Sequence, residues 1–223
     1  MYSRLGLIGD VHAEHHALLA ALTHLRVIGV DAILCVGDIV DGPGDLEACV
    51  RLLDVPDVIS VRGNHERWLL ENRLRTLPDA HFIESLSEHA KQFFSSLPLT
   101  RRLQTAAGPL LLCHGLGDDD MGQVRPSDSS WDLSDNRSLQ RLLEQDDLSL
   151  VVNGHSHVSM VRSLEPITLI NAGTLSRESE PCFAFVDLVA KQVRFFELDE
   201  HQQIDERERY QFGMPGQGLW GAL

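Results

Sequence analysis

The sequence predicts an α/β protein in which two β-sheets pack together with helices outside. Three observations predict it. Apolar runs alternate with a helical pattern through the first 65 residues, the mark of βαβ units and a parallel sheet. Strand-like runs recur between residues 99 and 198, spaced closely enough for a second, mostly antiparallel sheet. Five runs lead straight into oxygen or nitrogen ligands, as expected where a site lies beyond the carboxyl ends of strands.

Taken in order, Leu5 to Ile8 is a short buried strand ending at Gly9, and Glu14 to Val27 carries helical spacing through Leu18, Leu19, Leu22 and Leu25. Ala32 to Val36 is a second strand, followed by the turn Asp41-Gly42-Pro43-Gly44. Asp45 has the character of an N-cap for a helix reaching about Leu53, and Val58 to Val61 is the third strand. Glu66 to Leu77 and Ser87 to Ser96 are predicted helices, broken by Pro78 and Pro98. Leu99 to Leu103 and Leu110 to His114 are strands around Gly108-Pro109. A polar loop covers Gly115 to Ser130, and a helix follows over Asn136 to Glu144. Strands are then predicted at Ser149 to Asn153, Val158 to Ser163, Thr168 to Asn171, Cys182 to Leu188 and Gln192 to Leu198, the last two as a hairpin. Residues 1–200 form one domain in this reading, and 201–223 a loosely packed C-terminal extension with Trp220 as a candidate dimer contact.

The 223 residues carry a net charge of -14, which argues against an extended nucleic-acid or anionic-membrane partner, since both require a basic face. It does not exclude an anionic substrate, because bound cations reverse the local potential. Cys35, Cys49, Cys113 and Cys182 form no CxxC pair, and Cys35 and Cys113 lie inside apolar runs, so a reducing, cytoplasmic setting is expected. No apolar stretch approaches the length of a membrane span, and the N-terminus lacks the layout of a signal peptide.

The chemistry lies in the five strand-end segments. Asp10 and His12 stand two apart, as do His155 and His157; in an extended chain such pairs point the same way and can grip one ion. Asp38 offers two oxygens able to bridge two cations, Asn64 a neutral carbonyl oxygen, and His114 an imidazole nitrogen. Mixed carboxylate, imidazole and amide ligation suits two divalent ions of the Mn, Fe, Zn, Co or Ni type. Such a pair, about 3.5–4 Å apart, can share a hydroxide aimed at phosphorus. His65 adjoins Asn64 with no evident ligand role and is the candidate general acid, with Asp41 accepting from its ring. Arg62 and Asn64 are candidate substrate contacts. The remaining histidines, including His81, are read as structural, Asp118-Asp119-Asp120 as a solvated loop, and Trp68 and Trp131 as buried aromatics.

As an ordered set, Gly-Asp10-Val-His12, Gly-Asp38-Ile-Val-Asp41, Gly-Asn64-His65-Glu66, His114-Gly and Gly-His155-Ser-His157 closely resemble the calcineurin-like metallophosphoesterases, over residues 5 to about 175. The resemblance implies a four-layer α/β/β/α sandwich of two mixed β-sheets flanked by helices. It implies one metal held by Asp10, His12, Asp38 and His157, a second by Asp38, Asn64, His114 and His155, and His65 as general acid partnered by Asp41. The expected activity is hydrolysis of phosphate mono- or diesters on a phosphorylated small molecule, nucleotide or phosphopeptide, with oligomerisation left open. Val61 to Glu66 is similar to the version in serine/threonine protein phosphatases and diadenosine tetraphosphatases. Those enzymes carry an arginine where this chain has Gly42, so that loop supplies no phosphate clamp, and the compact length resembles the small bacterial phosphoesterases. Alternatives are a metal-dependent nuclease, disfavoured by the acidity, and a non-catalytic scaffold, disfavoured because no ligand position is vacant.

Overall fold

The computed structural model describes residues 1–213. Its first sheet has six strands in the order β11-β10-β9-β1-β2-β3. These are β1 (Arg4–Ile8), β2 (Ala32–Cys35), β3 (Val58–Ser60), β9 (Cys182–Asp187), β10 (Gln192–Leu198) and β11 (Ile204–Gln211). The second sheet has five, in the order β4-β5-β6-β8-β7: β4 (Thr100–Thr105), β5 (Gly108–Cys113), β6 (Leu150–Asn153), β7 (Met160–Leu164) and β8 (Ile167–Asn171).

Alternation along each strand builds the layers. Leu5 and Leu7 of β1, Leu34 of β2, Leu110 and Leu112 of β5, and Leu150 and Val152 of β6 all point into one core between the sheets. The intervening Ile8, Ile33 and Cys35 face a second core, closed by α1 (His15–Ile28), α2 (Leu46–Leu53) and α4 (Glu88–Ser96). On the far side Leu111, Cys113, Val151 and Leu169 pack beneath α6 (Arg137–Leu143). Four layers result, and strands buried on both faces explain why the sequence shows continuous apolar runs there.

Local chemistry sets several boundaries. Asp45 caps α2 by accepting from the Ala48 N–H at 2.9 Å, as its sequence context predicts. α1 ends at Gly29, whose φ of 83° is left-handed and whose N–H returns to Leu25 and Arg26 carbonyls. A short helix α5 (Ser130–Asp135) fills the stretch between the loop expected to end at Ser130 and the helix expected from Asn136. Its signal is a capping box, with Ser129 and Asp132 exchanging side chain-to-backbone bonds.

Four expectations are corrected. The Cys182–Leu198 hairpin joins the first sheet, with β9 antiparallel to β1, because residues 182–186 are buried on both faces and need a central position. The second sheet is mixed: β5, β6 and β8 run parallel at its centre, with β4 and β7 antiparallel at its edges. The helix expected over Glu66–Leu77 is α3 (Asn64–Leu70), which starts where Gly63 caps it and gives way before positive-φ backbone at Asn72 and Leu74. The segment after His201 is not loosely packed throughout, since β11 pairs with β10 and Phe212 is buried. Trp220 lies outside the described residues.

Candidate metal centre

The five ligand-bearing loops leave the carboxyl ends of β1, β2, β3, β5 and β6 and meet at one edge of the sandwich. Backbone bonds stitch them together. The N–H groups of Val11 and His12 both donate to the Asp38 carbonyl at 2.9 Å, and Ala13 N–H donates to Ile39 O at 2.8 Å. The Asn171–Thr174 turn braces Asp10, with Thr174 Oγ1 donating to Asp10 O at 2.9 Å. Glu66, fully buried, accepts from the N–H groups of Asp38, Ile39, Val40 and Gly63 at 2.6–3.0 Å, so one carboxylate pins the whole Asp38–Asp41 loop to α3.

Three groups of candidate ligand atoms converge: Asp10, His12 and His157; Asp38, His114 and His155; and His12, Asp38 and His65. His12 Nε2 lies 3.2 Å from His157 Nε2, which is 3.0 Å from Asp10 Oδ2. His114 Nε2 lies 3.1 Å from Asp38 Oδ2 and 2.9 Å from Asn64 Oδ1. All seven residues assigned from the sequence as ligands are thus brought together. His65 Nδ1 meets Asp41 Oδ2 at 2.8 Å, while its Nε2 lies 4.0 Å from Asp38 Oδ2.

The expected route to this convergence is wrong. Extended i, i+2 pairs were anticipated, but His12, Asp38, Asp41, His155 and His157 all sit in left-handed backbone, with φ of 46°, 46°, 62°, 66° and 59°. Five such residues in one site store conformational strain of the order of 1–3 kcal/mol each. Close approach reinforces the arrangement: a Cβ at Gly63 would strike the Asp38 carboxylate, and one at Gly154 would strike Asp10.

The donor set fits cations. Asp10 Oδ2 is buried, and the His157 ring nitrogen 3.0 Å away does not meet it in a well-aligned hydrogen bond. The Nε2 atoms of His12 and His157 face each other at 3.2 Å, a spacing that a shared proton or a cation satisfies. The His114 Nδ1 atom faces Val36 O at 3.0 Å and His12 Nδ1 faces Asp41 O at 2.8 Å, which assigns a proton to each Nδ1 and turns each Nε2 inward. Burial alone would lower the His114 imidazole, yet the Asp38 and Asp10 carboxylates push it up to about 10. His157 and His65 are likewise raised against burial, by Asp10 and by Asp41 with Asp38 respectively. His155 is lowered, by burial and by its neighbour His114.

Three residues at the site escaped sequence reasoning. Arg75 and His81 both bind Asp41, but they fall in an irregular segment with no periodic signal. Glu66 stands inside the Gly-Asn-His-Glu motif, yet its bracing role is visible only once Gly63 and Val40 are seen beside it. The Asp118–Asp120 run is not simply solvated: Asp120 takes a two-pronged bond from Arg67, at 2.6 and 2.9 Å, tying the loop after His114 to α3. Trp68 is half-buried against the His65 ring, whereas Trp131 is exposed, contrary to expectation. Arg62 donates its N–H to Pro98 O, and its Nε is buried without a partner.

Two mixed sheets flanked by helices, with aspartate, histidine and asparagine side chains gathered at the carboxyl strand ends, are the arrangement expected of a metallophosphoesterase. Residues 4–191 match the family model of the calcineurin-like phosphoesterase superfamily domain, and the chain belongs to that family. It is 25% identical over 181 residues to the uncharacterized protein MJ0912 of Methanocaldococcus jannaschii, covering 78% of this chain and 70% of that one. It is 39% identical over 72 residues to serine/threonine-protein phosphatase 2 of Escherichia coli, covering 31% of this chain and 33% of that one. The fold is also that of a metallophosphoesterase from Sphaerobacter thermophilus, with a TM-score of 0.64 at 21% identity and 89% of both chains covered. No helix among the described residues is long and apolar enough to cross a membrane.

Proposed function

We propose that this chain hydrolyses phosphate mono- or diesters at a paired-cation site, with His65 as general acid. The observation that carries the reading is the position of Asp38. Its Oδ2 lies between the His114 side of the site and the face shared by His12 and His65, where one carboxylate can serve two ions. Asp10, His12, Asp38 and His157 would hold one divalent cation, and Asp38, Asn64, His114 and His155 the other. When bound, the two ions supply a nucleophile of near-neutral pKa and charge neutralisation for the phosphate oxygens.

The chain's own residues do the rest. Asp41 holds the Nδ1 side of the His65 ring, leaving Nε2 on the cleft side to protonate the leaving oxygen. Arg62 and Asn64 are the proposed phosphate contacts. Manganese is the first metal to test. The four buried cysteines, none in a disulfide, support a reducing cytoplasmic setting. A phosphorylated small molecule, nucleotide or phosphopeptide is the proposed substrate, and the short match to a protein phosphatase makes phosphopeptides worth including.

The test is turnover on a panel of nucleotides, phosphopeptides and diesters with Mn, Zn and Fe. His65→Ala should lower kcat by about 10²–10⁴-fold while retaining metal. No metal-dependent turnover on any member of the panel, or loss of metal from His65→Ala, would overturn the reading.

A further inference from the structure

The segment between α3 and α4 is irregular, and its Arg75 side chain is nevertheless almost fully buried, at 7% exposure. The guanidinium grips Asp41 with two parallel bonds, Nη1 to Oδ1 at 2.8 Å and Nη2 to Oδ2 at 2.9 Å. The same Nη1 donates to His81 O at 2.8 Å, and Nε donates to Arg73 O at 2.7 Å. His81 N–H completes the set, donating to Asp41 Oδ1 at 2.9 Å, while His81 Nδ1 accepts from Asp41 N–H at 3.0 Å. Asp41 therefore receives four donors on its two oxygens: two from Arg75, one from His81 and the ring N–H of His65. Burial would raise the Asp41 carboxyl, but the bonds from His65 and Arg75 hold it below the ordinary carboxylate range.

A carboxylate engaged on every side has one free choice removed after another. It cannot rotate without breaking the Arg75 fork, and a two-pronged arginine bond fixes the carboxylate plane as well as its position. The plane of Asp41 in turn sets the line along which His65 Nδ1–H must point, and hence the direction of Nε2. We infer that Arg75 is a positioning residue for the general acid: it fixes Asp41, and through Asp41 the aim of His65, without touching substrate or metal ligands other than through that chain. The inference rests on the proton-donor role of His65 proposed above. In that step the oxygen of a water molecule bonds to phosphorus as the P–O bond to the leaving group breaks. The electron pair of the broken bond stays on the leaving oxygen, and that oxygen takes the proton from His65 Nε2.

The leaving group supplies the test. An alkyl phosphate leaves as a strongly basic alkoxide and needs the proton; a p-nitrophenyl phosphate leaves as a weakly basic phenolate and needs it little. With the manganese-loaded full chain, Arg75→Ala should lower kcat on the alkyl ester by about ten- to a hundredfold, as expected for a misaimed catalytic group. On the p-nitrophenyl ester the loss should be less than about threefold by the same argument. KM and metal content should be unchanged. His65→Ala should show the same split, larger, and the double variant should be no worse than His65→Ala, because both act through one group. Arg75→Lys, which keeps the charge but not the fork, should restore only part of the loss, and it also serves if Arg75→Ala does not fold. Equal losses on both esters, losses that multiply with His65→Ala, or full rescue by lysine would overturn the inference while leaving the acid role of His65 intact. Absence of any split in His65→Ala itself would overturn both.

Discussion

His12 Nε2 and His157 Nε2 face each other at 3.2 Å across 145 residues of sequence. Two imidazole lone pairs do not rest in that geometry unaided; a shared proton or cation must relieve them. Metal removal is therefore the most direct probe. A chelated sample should melt lower than one with Mn or Zn at a hundred times Kd, by the equivalent of about 2.7 kcal/mol per site. A melting temperature indifferent to every divalent ion tried would show that the clusters bind none.

Stoichiometry separates the two clusters. Asp38→Ala removes the carboxylate proposed above to serve both ions, and elemental analysis should find both lost. His157→Ala touches one group alone and should retain about one ion per chain. Identical metal contents in the two variants would contradict the shared role of Asp38.

Protonation must compete with metal. Because neighbouring carboxylates push His114 up to about 10, its imidazole carries a proton at neutral pH in the metal-free protein. A metal has to displace that proton, so affinity should rise with pH below 10, about tenfold per unit for each proton released. Calorimetry in buffers of different ionisation enthalpy would count those protons; a buffer-independent heat would refute the expectation.

Gly63→Ala places a methyl against the Asp38 carboxylate, where backbone as well as side chain stands in the way. The expected cost is about 1–3 kcal/mol of stability, together with weakened metal binding, since Asp38 must move. Urea unfolding and metal titration would measure the two effects separately.

Glu66→Ala leaves four buried backbone N–H groups without their acceptor. A loss of about 3 kcal/mol or more is expected in urea unfolding, because each stranded donor carries a desolvation cost of roughly 1–3 kcal/mol. A loss below about 1 kcal/mol would mean that water replaces the carboxylate at little cost.

The candidate ligands were legible as a set rather than singly: Asp10, His12, Asp38, Asn64, His114, His155 and His157 fall in order directly after apolar runs, and the fold brings them together. Arg75 and His81 were not, since their partner Asp41 is more than thirty residues away and the intervening chain is irregular. The backbone was also hidden. Nothing in Asp10-Val11-His12 announces that His12 is left-handed; that follows from the neighbouring Asp38 loop, which claims its N–H. Sheet membership failed for a related reason. The apolar pattern of Cys182–Val186 shows a strand buried on both faces, but not which sheet has room for it.

The outermost strand has a consequence for how the molecule stays dispersed. β11 carries acids and bases along Ile204–Gln211 and pairs antiparallel with β10, whose outer backbone edge would otherwise be open to another strand. A charged, salt-bridged hem of this kind, with Arg194 and Arg209 both gripping Glu206, offers a poor template to a passing chain. Trimming the polypeptide at residue 200 would bare a greasy ladder of unmet amides, and the shortened protein should clump where the longer one stays in solution.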